Sequence, residues 1–143
     1  MALSKITNTQ NVPTWQVAKD TPALLNSPVQ VFEKYRTSID MITTSEVAVS
    51  LTIDNSTHLD EIIRELEPFG TVELDKDQAI VSIVGNEIGK TEHILSKLFE
   101  SIADIPVRMV SYGGSPHNVS LLVPASYKTQ TLQVLNKGIF GLD

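Results

Sequence analysis

Cysteine is absent from this 143-residue sequence. Its absence excludes disulfide frameworks, thiolate metal sites and cysteine nucleophiles. Long apolar runs are also missing, because no stretch approaches the roughly 18 residues that a transmembrane helix needs. The first residues do not combine a charged region with an apolar core, as a signal peptide would. We therefore predict a cytoplasmic protein that has no membrane partner.

Basic residues are few, with 11 Lys and Arg against 17 Asp and Glu, and the formal net charge is −6. No cluster of Lys and Arg offers the footprint that nucleic acid requires, so no nucleic-acid partner is predicted. The histidines His58, His93 and His117 have no second ligand at metal spacing, so no metal site is predicted. Gly113-Gly114 is not followed by Lys-Ser or Lys-Thr, which favours a backbone role over a phosphate cradle. No cofactor is predicted.

Catalytic arrangements are equally hard to find in the sequence. Ser111, His117 and nearby acids could be combined into a hydrolytic triad, but no nucleophile elbow of the G-x-S-x-G type is present. Arg36, Arg64 and Arg108 fall in predicted helices or strands, without the phosphate-holding loop that a small phosphatase of ferredoxin-like shape would need. The sequence therefore favours a binding or interaction module over an enzyme.

The most informative stretch is 39–53, which reads I-D-M-I-T-T-S-E-V-A-V-S-L-T-I. An apolar opening and a later period of two predict two strands that meet at the polar junction 43–46. Such a junction brings hydroxyls, a carboxylate and backbone N–H groups to one end of a sheet, which suits a small zwitterion better than bond breaking. The plainer alternative is a solvated turn, in which Asp40 and Glu46 are only surface charges.

Periodicity and turn signals predict the other elements. The polar, turn-prone residues 1–28 are predicted to be extended or partly disordered, and 5–17 do not look like a regular strand. Helices are predicted over four segments: from Pro22 or later to Tyr35, from a Thr57 cap to Leu66, 91–103, and 129–140. Strands are predicted at 71–74, 78–84, 107–112 and 118–123, with 75–77 as a hairpin or link between two of them.

Three short blocks recur in the same order along the chain. V-F-E at 31–33 recurs as L-F-E at 98–100, I-D-M-I-T at 39–43 as V-R-M-V-S at 107–111, and V-S-L at 49–51 as V-S-L at 119–121. The offset grows from 67 to 70 residues, as small loop insertions would produce. We predict an α+β fold of two ferredoxin-like units of βαββαβ type with antiparallel sheets, at 29–76 and 77–143, after a divergent segment 1–28.

The segments 38–54, 79–86 and 105–124 carry a family resemblance. They contain I-D-M-I-T-T-S-E-V, A-I-V-S-I-V-G-N and M-V-S-Y-G-G-S-P-H-N-V-S-L. They resemble the C-terminal regulatory region of aspartate kinase, a tandem of ACT domains, from about Val29 to Phe140. The resemblance implies a sensor at which a pathway end product, lysine first and threonine next, binds and inhibits phosphorylation of aspartate. It also implies a homodimer joined through ACT sheets.

The kinase domain is the further partner that the resemblance implies for the full-length protein. The lysine- and glycine-rich catalytic domain of the family is not found in this sequence, so we expect no phosphorylation of aspartate by this chain alone. The alternative hypothesis is an interaction module of ACT fold that pairs subunits without sensing an amino acid.

The resemblance further implies an effector site in the first unit. Asp40 matches the acidic residue that receives the cationic end of the ligand, and a charge-assisted hydrogen bond to an ammonium is about twice as strong as a neutral one. The loop that fixes the α-amino and α-carboxyl groups of the ligand is matched by Ser45, Glu46 and Val47, with Thr44 beside it. The position of an apolar wall residue is matched by Ile39. The apolar pair of a segment that helps to hold the ligand is matched by Leu24 and Leu25.

Overall fold

The computed structural model of the chain describes residues 5–17, 26–44 and 48–142. The regular elements in these ranges are β1 (Lys5–Val17), α1 (Asn26–Lys34), β2 (Ile39–Thr44), β3 (Ala48–Ile53), α2 (Leu59–Leu66), β4 (Gly70–Val84), α3 (Ile94–Ser101), β5 (Met109–Ser111), β6 (Asn118–Pro124) and α4 (Lys128–Phe140). None of the helices described has the length and apolarity that a bilayer crossing needs. The chain divides into two compact units, the first Thr9–Lys76 and the second Met1–Asn8 with Asp77–Asp143.

The first unit is a sheet of order β2-β3-β1 whose core lies between β3 and two helices. Both strand pairings are antiparallel. Alternate residues of β3 are buried, as its period of two predicts, and α1 and α2 cover them with residues at helical spacing. The buried members of this core are Val31, Phe32, Val49, Leu51, Ile53, Leu59, Ile62 and Leu66. Each contributes about 1.5–3 kcal/mol by leaving water.

The second unit repeats this design with a sheet of order β4-β6-β5, again antiparallel. Its core is formed by alternate residues of β4 and β6, covered by α3 and α4. The buried strand residues are Ala79, Val81, Ile83, Val119, Leu121 and Val123, and the buried helix residues include Ile94, Leu98 and Leu135. The sequence repeat is confirmed, because its three blocks fall on α1 and α3, on β2 and β5, and on β3 and β6.

The N-terminal segment was only partly predicted. Residues 5–17 form a strand of 13 residues, where the sequence predicted an extended or partly disordered segment and no regular strand. The strand exists because its backbone pairs with β3, from Asn11 opposite Ile53 to Gln16 opposite Ala48. Backbone hydrogen bonds of a ladder need no apolar side chains, so the polar composition of this segment concealed them.

The predicted hairpin or link at 75–77 is wrong, because β4 runs without interruption through these residues. Asp77 has a φ of 55°, and aspartate is one of the few residues other than glycine that tolerate this left-handed conformation. A single such residue changes the direction of the strand locally without ending it. The turn-like composition of Asp75-Lys76-Asp77 was therefore mistaken for a break.

Two predicted helix starts are also corrected. Helix α2 begins at Leu59, and Thr57 does not cap it; the Thr57 N–H instead donates to Asn55 Oδ1 at 3.0 Å. Helix α3 begins at Ile94 rather than at 91, because His93 has a φ of 59° and so leaves the helical region. The first helix is described only from Asn26, and the proposed start at Pro22 lies outside the described residues.

Candidate functional site

The candidate site lies on β2, at one end of the first unit's sheet order. Its pairing with β3 is irregular. Ile39 lies opposite Ile53 and Met41 lies opposite Thr52, so an advance of two residues on β2 corresponds to an advance of one residue on β3. Asp40 is thus the extra residue of a β-bulge. Bulges redirect side chains and are frequent next to binding sites.

The bulge changes which way the neighbours of Asp40 face. Without it, Ile39 and Met41 would share one face of the strand. Ile39 instead packs against the helix-covered core, while Met41 is buried and its N–H donates to the Thr52 hydroxyl at 2.9 Å. Thr52 is itself fully buried, so this hydrogen bond holds the irregular backbone in place. The adjacent apolar pair Met41-Ile42 was the signal in the sequence that strict alternation fails here.

The structure describes three of the eight positions implied for the effector site. Asp40 and Thr44 are exposed on β2, and Ile39 is half-buried beside the core. Thr44 pairs with Val49 at the end of the strand, so Asp40 and Thr44 stand about 13 Å apart along it. The remaining positions, Leu24, Leu25, Ser45, Glu46 and Val47, lie outside the described residues.

In the second unit, the loop between β5 and β6 is held in place by hydrogen bonds within the chain. The Gly89 N–H donates to the Pro116 carbonyl at 2.9 Å, and the Tyr112 hydroxyl donates to the Gly89 carbonyl at 2.8 Å. His117 accepts the Glu87 N–H at Nδ1, at 3.1 Å. His117 thus orders this loop through a hydrogen bond, and the predicted backbone role of Gly113 is confirmed by its φ of 96°. The groups that make these hydrogen bonds therefore already have partners within the chain.

Metal ligands do not gather in the part of the chain that the structure describes: no group of three or more His, Asp or Glu is placed to hold an ion. The described part of the site on β2 offers the carboxylate of Asp40, the hydroxyl of Thr44 and the apolar side chain of Ile39. Such a set can bind a small polar molecule with a cationic end through hydrogen bonds and charge.

Comparisons with known proteins agree on one family. The ACT domain family matches residues 81–138. A structure from Porphyromonas gingivalis W83, assigned as a C-terminal regulatory domain of aspartate kinase, is 36% identical, with a TM-score of 0.85 and 95% of each chain covered. Lysine-sensitive aspartokinase 3 of Escherichia coli K12 is 32% identical over 118 residues, 77% of this chain and 26% of the relative.

A longer aspartokinase chain contains a similar fold. The structure of E. coli aspartokinase III in complex with lysine and aspartate (T-state) matches with a TM-score of 0.81 and 28% identity, covering 94% of this chain and 32% of that one. The chain spans about a quarter of the length of the curated relatives that it matches, 26% in E. coli and 22% in Arabidopsis thaliana.

Proposed function

This chain belongs to the aspartokinase family, among its C-terminal regulatory domains of ACT type, and from that premise we propose that its first unit senses a free amino acid. Lysine is the effector that we favour, and threonine is second. The observation that supports this proposal most directly is the exposed carboxylate of Asp40 at the bulge of β2, anchored from behind by the hydrogen bond between Met41 and Thr52.

Charge and distance favour lysine over threonine. Asp40 supplies a carboxylate that an ε-ammonium can donate to, whereas threonine has no cationic side chain. Lysine also carries its ε-ammonium on a flexible four-carbon stem, so a lysine bound at Asp40 reaches farther along the strand toward Thr44 than a threonine would. Ser45, Glu46 and Val47 would complete the site by holding the α-amino and α-carboxyl groups. A relative of 32% identity bears the name lysine-sensitive aspartokinase, which supports the same choice.

Regulation then follows from differential affinity. An amino acid that binds one arrangement of paired ACT units better than another shifts a two-state equilibrium by no more than that difference. We propose that a kinase domain in the full-length protein responds to this shift, with feedback inhibition of aspartate phosphorylation as the result. We also propose that two copies pair through their sheets, because β2 and β5 each end a sheet order within their unit and would otherwise leave backbone groups bare.

A thermal-shift titration of the purified chain with lysine, threonine and methionine tests the sensor. A ligand that binds only the folded state at 100 times its Kd stabilises it by about 2.7 kcal/mol, which raises Tm by several degrees. Asp40→Asn should weaken lysine binding by at least about tenfold, because a hydrogen bond to a charged group is lost. Asp104→Asn, at an exposed aspartate of the second unit, is the matched control and should change nothing.

Two results would argue against the sensor. If none of the three amino acids changes Tm, the interaction module without a sensing role is the better explanation. If lysine stabilises the chain and Asp40→Asn leaves its affinity intact, lysine binds elsewhere. Light scattering coupled to size exclusion tests the dimer separately: a monomer that persists at high concentration contradicts sheet pairing, whatever the titration shows.

A further inference from the structure

The helical side of the first unit contains an open cavity that lies among residues of α1, α2 and the 3₁₀ turn Glu67–Phe69. Its volume is about 560 Å³, within the range of roughly 300–1,000 Å³ that small-molecule sites occupy. Its apolar wall is formed by Val31, Pro68 and Phe69, and its polar groups are those of Gln30, Lys34, Arg64 and Glu65. A mixed lining of this kind is suited to a ligand with both an apolar body and a polar end.

The charges in this cavity are distributed unevenly. Lys34 Nζ forms an ion pair with Glu65 Oε1, and the Tyr35 hydroxyl donates to the same oxygen at 2.7 Å. The hydrogen bond from Lys34, with that from Tyr35, lowers the pKa of the Glu65 carboxyl, and the hydrogen bond to Glu65 raises the pKa of Lys34. Both groups are therefore ionised at neutral pH and neutralise each other.

Arg64 is the cation that remains. Its guanidinium makes no hydrogen bond or ion pair with any residue that the structure describes, although Glu61 and Glu67 each stand three positions away along the chain. Lys34, Glu65 and Arg64 together carry one net positive charge, in a chain whose net charge is −6. The guanidinium has the planar fork that binds a carboxylate through two parallel hydrogen bonds.

We propose that this cavity is a second ligand site, for a small monoanionic carboxylate with an apolar body. The carboxylate pairs with Arg64, the apolar body lies against Val31 and Phe69, and the Gln30 amide supplies a further hydrogen-bond donor. One net positive charge matches a monoanion better than the dianion of a phosphate monoester. The amino-acid effector proposed for β2 binds through a cationic end, so the two sites select ligands of different chemistry.

Backbone amide NMR of the intact chain, titrated with 4-phenylbutyrate, tests the proposal. We expect saturable shifts confined to residues 30–34 and 64–69, and none with the neutral amide of the same acid. Arg64→Gln should raise the Kd about tenfold or more. Glu65→Gln should lower it, because Lys34 is then no longer neutralised. Lys97→Gln, which removes an exposed cation of the second unit, is the matched control and should leave the Kd unchanged.

The opposite pattern overturns the assignment. Equal shifts from the acid and its amide would mean that only the apolar wall binds, and an unchanged Kd for Arg64→Gln would remove the carboxylate anchor. Phenyl phosphate that binds more tightly than 4-phenylbutyrate would contradict the choice of a monoanion. Arg64 and Glu65 are not core residues, and a preserved amide spectrum for each variant confirms that the comparison is between folded proteins.

Discussion

Gly138 of α4 lies so close to α3 that a single methyl group should disturb the packing of the second unit. A Cβ built at Gly138 would lie 1.8 Å from Ser101 Oγ and 2.8 Å from Ser101 Cβ. The hydroxyl can rotate away only by giving up its hydrogen bond to the Lys97 carbonyl, now 2.6 Å long. The two Cβ atoms would still be about 0.7 Å inside the shortest ordinary carbon contact of about 3.5 Å.

The size of the effect is the difference of two opposing terms. Overpacking a contact between elements costs about 1–3 kcal/mol, while replacing glycine by alanine within a helix gains about 1 kcal/mol. Gly138→Ala should therefore destabilise the chain by up to about 2 kcal/mol, or lower Tm by up to about 8 °C in a domain of this size. Urea or thermal denaturation followed by circular dichroism measures both quantities.

A double-mutant cycle isolates the cause. Ser101→Gly removes both clashing atoms and leaves only the Ser101 Cα at 3.8 Å, an ordinary contact. In that background Gly138→Ala should be stabilising by up to about 1 kcal/mol, so the coupling between the two sites should equal the overpacking cost of about 1–3 kcal/mol. Gly114→Ala, where an added Cβ meets nothing within 4 Å, is the control and should be nearly neutral. A stabilising Gly138→Ala in the unmodified chain, or no coupling, would refute the reasoning.

Three further predictions concern named contacts. Thr52→Val should cost about 1–3 kcal/mol of unfolding free energy, because the buried Met41 N–H loses its acceptor; an unchanged urea midpoint would contradict this. Because its folded pKa is lowered, Glu65 stabilises the chain above its ordinary pKa of 4.5, and this contribution disappears as pH falls through the folded value. The Tm difference between the chain and Glu65→Gln should therefore narrow below pH 4.5, and a constant difference would argue against it. Leu98→Ala should cost about 2–5 kcal/mol of unfolding free energy, because Leu98 is buried. The neighbouring Phe99→Ala should cost about 0.5 kcal/mol or less, because Phe99 is 53% exposed. Equal denaturation midpoints for the two variants would contradict the placement of Leu98 in the core and of Phe99 at the surface.

The periodic spacing of apolar residues was enough to predict most of the fold. The predicted α+β arrangement of two ferredoxin-like units with antiparallel sheets is confirmed, because each core depends on apolar residues at spacings of two or of three and four, and these spacings are visible in the chain itself. Leu51 and Leu121, the matching positions of the V-S-L blocks, are both fully buried. Because the two copies of a block share their burial as well as their sequence, the repeat was a strong indicator of two similar units.

Local composition was a weaker guide wherever a distant strand decided the outcome. Residues 5–17 are polar, but their pairing with β3 makes them a strand. Asp75-Lys76-Asp77 has the composition of a turn, but lies inside β4 because Asp77 adopts a positive φ. In both segments the backbone ladder overrode side-chain preference, and no local pattern reports such a ladder.

The sequence by itself determined most of the elements and the duplicated cores, because each depends on the spacing of residues close together in the chain, and the family resemblance pointed to the candidate carboxylate at Asp40. Only the tertiary structure decided that Asp40 is the extra residue of a bulge, since that depends on the register between β2 and β3. The same holds for the cavity beside Arg64: Lys34 and Glu65 are 31 positions apart, and only the packing of α1 against α2 pairs them and leaves one guanidinium exposed to solvent.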